Sequence, residues 1–126
     1  MSKKWFCVDE EGLDPHIKTG AFMAAYLIAK NNKELTKSAM PVALAIQKQV
    51  DAGGDNEALN ALLKQTITEL VGKFTDKDPV IKQAIDTLLS SLKINVPAGT
   101  FPVLTNKKID ELVDSFVNGM QAGIAA

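Results

Sequence analysis

Two apolar stripes in the stretch Asp55–Leu92, DNEALNALLKQTITELVGKFTDKDPVIKQAIDTLLSSL, leave this chain few ways to fold. In the second half, Ile81, Ala84, Ile85, Leu88, Leu89 and Leu92 recur at i, i+3, i+4, i+7, i+8 and i+11, the period of one helix face. In the first half, Leu59, Leu62, Leu63, Ile67, Leu70, Val71 and Phe74 make a matching stripe. Asp78-Pro79 between them is a helix start: the carboxylate accepts from an orphan N–H, and Pro at the first helical position has no N–H to lose. Neither stripe faces water cheaply. The expectation is a helical hairpin at the nucleus, its stripes turned toward each other and a third partner.

The rest of the chain extends that pattern. Asp14-Pro15 repeats the cap-and-Pro start and opens a helix over 14–31, apolar on all sides from Ala21 to Ala29 apart from the Tyr26 hydroxyl. Its small residues, Gly20, Ala21, Ala24, Ala25 and Ala29, permit close helix approach. A second helix is predicted over 38–52, starting near Thr36 or Ser38, with Ser38 favoured as cap because Pro41 is tolerated only in a first turn; an earlier start would make Pro41 a kink. Gly53-Gly54 ends it, glycine taking the left-handed cap conformation freely. Helices over 56–74 and 79–93 follow. Then comes KINVPAGTFPVL, too rich in Pro and Gly for a helix but apolar enough to pack down. Thr105 or Asn106 caps a last helix, 106–120, with the tail QAGIAA fraying. Residues 1–13 are predicted as an extended arm. The fold class is therefore all-α: one domain, 1–126, a compact bundle of about five helices with one irregular crossing.

An Ile-x-x-Leu-[Leu/Val] echo recurs at Ile67, Ile85 and Ile109 with unequal spacing. True repeat arrays keep a fixed period, so three similar core-facing helices are the favoured reading, with a small duplication, on the shared Ile-Asp and Ser, as the alternative. The closing helix, KKIDELVDSFVNGM, resembles helical pieces of small bacteriophage accessory proteins over that stretch alone, and carries no residue roles across.

Composition narrows function by exclusion. With 23% charged residues and a net charge of −1, the chain needs no dominant electrostatic partner. All 14 basic residues are lysines, and without arginine's two-point fork a nucleic-acid interface is not expected. The most apolar run, AFMAAYLIA, is far shorter than the ~20 residues that cross a bilayer. MSKKWFCVDEEG has no apolar core of a secretory signal, so a soluble protein is expected, in the cytoplasm or in a virion assembled in a bacterial cytoplasm.

Chemistry-bearing residues are few. Cys7 and His16 are the sole thiol and imidazole, with Asp9 or Asp14 to orient the base, but Cys7 sits in an apolar run, where a thiol is inert packing. Asp9, Glu10, Glu11 and Asp14 lack the oxygen ladder of a calcium loop. Gly53-Gly54 carries no phosphate-binding fingerprint. No catalytic, cofactor or metal residue is therefore assigned. Trp5 and Phe6 in the arm, with Phe22, Met23, Tyr26 and Leu27 on the first helix, are the candidate interface, since large aromatics anchor such surfaces. These residues point to a non-catalytic structural or interaction subunit that binds a protein partner or itself. The alternative is a small helical carrier or sensor whose first helix, through Phe22, Met23 and Tyr26, lines a cavity for an apolar molecule.

Overall fold

The computed structural model describes residues 12–74 and 79–126. Five helices follow in order: α1 (Pro15–Asn31), α2 (Lys33–Asp51), α3 (Asn56–Phe74), α4 (Pro79–Ser91) and α5 (Asn106–Ala125). The fold is all-α. Among the described residues the only β pairing is an isolated antiparallel bridge between Asn95 and Thr100.

Local chemistry sets the helix limits. Asp14 accepts the N–H of His16 at 2.7 Å, and Pro15 occupies the first turn of α1. Asn32 then serves two helices at once. Its N–H donates to the Ile28 carbonyl at 2.8 Å, closing α1, while its Oδ1 accepts from Leu35 N at 3.0 Å, opening α2. The predicted start at Ser38 is thus corrected: α2 begins five positions earlier, at Lys33, and runs through Pro41. The gain from capping at Asn32 is reinforced by Thr36, fully buried, whose hydroxyl donates to the Asn32 carbonyl at 2.9 Å.

Helices α2 and α4 end in the same motif. Gly54 N donates to Gln49 O at 2.8 Å and Gly53 N to Val50 O at 3.0 Å, with Gly53 at φ 76°. After α4, Ile94 N donates to Leu89 O at 2.8 Å and Lys93 N to Ser90 O at 3.0 Å, with Lys93 at φ 61°. Both are left-handed caps that satisfy the last carbonyls. Thr105 caps α5, accepting from Lys108 N at 3.2 Å. Asp55 caps α3, accepting from Ala58 N at 3.0 Å, and Asp78, the predicted cap of α4, lies outside the described residues.

The packing corrects the predicted nucleus. Among the described residues the most extensive contact is between α1 and α5, the first and last helices, while α3 and α4 touch least of the pairs that meet. Leu13 N donates to Glu111 Oε1 at 2.7 Å, and further along Gly119 meets Phe22 and Ala25, then Gly123 meets Tyr26 and Ala29. That register makes α1 and α5 parallel. A Cβ on Gly123 would lie 2.5 Å from the Tyr26 carbonyl oxygen and 2.6 Å from Ala29 Cβ. Small residues on both sides let the two backbones meet, as the alanines of α1 led us to expect. The tail does not fray: α5 continues to Ala125, with Met120 and Gly123 buried. Helix α2 packs antiparallel on α5, with Gln47 Nε2 donating to Asp114 Oδ1 at 3.2 Å.

The Pro/Gly crossing is packed down, as predicted. Ile94 and Leu104 are buried, and Val96 and Phe101 half-buried against the core. Asparagines hold it there. Asn60 accepts the Leu104 N–H at 2.9 Å and donates to the Leu104 carbonyl at 3.0 Å, and Asn56 donates to the same carbonyl at 2.8 Å. Val103, expected to pack, is instead 80% exposed.

Candidate functional site

Two places stand out, the outer edge of α1 and a part-open apolar cavity between the other helices. Helix α1 divides its apolar surface. Ala21, Ala24, Ala25, Ile28 and Ala29 are fully or almost fully buried. Of the sequence-predicted interface residues, Phe22, Tyr26 and Leu27 are half-buried, and Met23 is 47% exposed. Leu27 packs on the core. Phe22, Met23 and Tyr26 share one flank, because i and i+4 lie one above the other on a helix. Trp5 and Phe6, the other two predicted members, lie outside the described residues, as do residues 1–11 of the predicted arm.

Charges of both signs border this flank. Lys30 Nζ stands 5.8 Å from the Tyr26 ring centroid, within the range of cation–π attraction. At the other end, Phe22 lines an open hollow with Lys18, Thr19, Glu111, Asp114 and Ser115. Glu111 accepts the Leu13 N–H and lies 3.8 Å from Lys18, so it fastens the start of α1 to α5. Beside it, Asp110 has its pKa raised above 3.8, first by burial and then by the negative charges of Asp51, Asp114 and Glu111.

The second place is the space between the two stripes that opened the sequence reading. Leu63, Ile67, Leu70 and Val71 of α3 face Ile85, Leu88 and Leu89 of α4, and Leu92 just past its end, across an apolar cavity of about 90 Å³. Ala39, Ala43 and Ile46 of α2 form another wall, and Leu112, Val113 and Phe116 of α5 close it. The stripes therefore do turn toward one space, shared with further helices, without closing on each other. The echo of Ile-x-x-Leu motifs has the same cause: most of its members line this one cavity. No residue of α1 lines it, which corrects the expectation that Phe22, Met23 and Tyr26 would do so.

Those of the remaining candidates that fall within the described residues are local structure. His16 is exposed, and its backbone N–H takes the Asp14 carboxylate as a helix cap; Cys7, Asp9, Glu10 and Glu11 lie outside the described residues. Gly53-Gly54 is a helix end whose Gly54 carbonyl accepts from Asn106 Nδ2 at 3.0 Å. Among the described residues, no group of His, Cys, Asp and Glu is placed to hold a metal ion, and no helix is long and apolar enough to cross a membrane. The sequence reading missed the Gly119-x-x-x-Gly123 seam, the asparagine clamp and the cavity. Only the first had a signal that spacing alone could have revealed. No protein-family model matches the chain, and no curated protein or solved structure is significantly similar to it.

Proposed function

We propose that this chain is a non-catalytic structural or interaction subunit that pairs with a second copy of itself through the outer edge of α1. The observation that carries the reading is the division of α1: its small residues are used up against α5, while Met23, with Phe22 and Tyr26 beside it, is left on the surface. Charge supports a second copy as the occupant. Because α1 and α5 are parallel, a two-fold axis near Met23 brings Lys30 of one copy toward Glu111 and Asp114 of the other, and the reverse contact forms by symmetry. A protein partner also suits a surface that has lysines and no arginine better than a nucleic acid does. The setting we propose is a bacterial cytoplasm, or a phage particle assembled in one.

The test is the methyl resonance of Met23 as protein concentration is raised. Concentration-dependent shifts at Met23 and Tyr26, weakened by salt, are expected. A Met23 signal that stays fixed removes this reading.

A second reading, a small helical carrier or sensor, is favoured by the apolar cavity between α2, α3, α4 and α5. It is compatible with the first, since the cavity and the α1 flank share no residue.

A further inference from the structure

The geometry points to the cavity as a binding site for a compact, uncharged apolar molecule, no larger than one small ring or a short hydrocarbon, admitted between α2 and α3. This rests on the carrier reading and adds the guest's class, its size and its way in.

Polarity decides the class. Among the described residues, Thr66 carries the only polar side chain in the lining, and its hydroxyl already donates to the Leu62 carbonyl at 2.8 Å. A buried water requires two to four polar partners, and a site without them stays dry and takes apolar guests. Volume decides the size. A dry cavity of about 150 Å³ lined by Leu, Ile and Phe holds benzene, whereas drug-sized ligands occupy roughly 300–1,000 Å³. At about 90 Å³ this cavity suits a xenon atom or a small hydrocarbon, and a benzene ring only with slight outward movement of the walls. A long acyl chain does not fit.

The route is set by shared residues. Ala39, Thr66 and Leu70 line both the cavity and an outer groove between α2 and α3 that also includes Leu35, Val42 and Leu62. Alanine at position 39 keeps that mouth free of a long side chain.

The experiment titrates the full chain with xenon, cyclopentane, benzene and decanoate while following the methyl resonances of Leu63, Ile67, Ile85 and Leu88. Saturable shifts confined to these methyls are expected with xenon, weaker ones with cyclopentane and benzene, which both need the walls to move outward, and none with decanoate. Ala43→Leu, which fills the space, should weaken uptake by at least about tenfold. Ala39→Leu should slow it at the mouth; either variant is used if its circular dichroism matches the parent. Binding of decanoate alone overturns the size and leaves the carrier reading standing. Binding of none of the probes overturns both. Uptake that is indifferent to both fillings places the guest elsewhere and overturns the site.

Discussion

The Phe22 carbonyl oxygen of α1 stands where a Cβ on Gly119 of α5 would have to be. One turn on, Gly123 meets Tyr26 and Ala29 in the same way, so the parallel α1–α5 pair is held at a separation that only glycine permits. Overpacking against backbone costs typically 1–3 kcal/mol, and the better helix propensity of alanine returns up to about 1. Gly119→Ala is expected to destabilise by about 1–2 kcal/mol net of these effects. Gly72, on α3 with nothing within 4 Å of its Cβ position, provides the opposite case. Gly72→Ala should stabilise by about 0.5–1 kcal/mol. Denaturant unfolding of the two variants reads the difference in sign.

Lys93 does with a side chain what Gly53 does without one. Both take positive φ at the end of a helix, and an L-residue there carries a penalty of roughly 1–2 kcal/mol. Lys93→Gly is expected to raise stability by about 0.5–1 kcal/mol once the extra freedom of glycine in the unfolded chain is set against that relief. Gly53→Lys should lower it.

Asn60 brackets one peptide unit, accepting from Leu104 N and donating to Leu104 O. Its loss leaves a part-buried N–H unpaired. Asn60→Ala should cost about 1–3 kcal/mol and raise hydrogen exchange at Leu104 above that of the α5 core. Asn60→Asp keeps the acceptor and loses the donor, so it should restore part of the protection.

Asp110 makes stability depend on pH in a defined direction. Its folded pKa is raised above 3.8 by burial and by Asp51, Asp114 and Glu111, so the native state holds this proton more tightly than the unfolded chain. Its contribution therefore becomes more favourable as pH falls through the raised folded value, and levels off below 3.8. Asp110→Asn removes the repulsion at every pH. The variant should be more stable than the parent at about pH 7, by roughly 0.2–0.5 kcal/mol for the Asp114 pair alone. That advantage should shrink as the parent is titrated down toward about pH 4.

Helix content was legible because it follows from local patterns. Asp14-Pro15, Gly53 and Thr105 act through atoms within a few residues of themselves, and each does what its type implies. The errors came where a distant partner or a competing cap decided the outcome. Pro41 argued for a start at Ser38, yet Asn32 and buried Thr36 fix the helix earlier, and α2 absorbs the missing hydrogen bond. The α3–α4 hairpin looked like the nucleus because its stripes are the strongest. Stripe strength does not specify which helix fills the space, and backbone contact went instead to α1 and α5, where glycine and alanine are small enough to allow it. The cavity had no local signature. It is a volume left over when four helices meet, and its walls are made of the same residues that a filled core would use.

The claim that α1 keeps an outer edge for a second copy is tested most directly by molar mass in solution, measured by sedimentation from low to high micromolar concentration. The parent is expected to exceed the 13.5 kDa of one chain and to rise with concentration. Met23→Lys, at an exposed position, should return it to 13.5 kDa with its helical signal unchanged. A parent that remains at 13.5 kDa throughout, or a Met23→Lys variant that associates as strongly as the parent, would contradict the account.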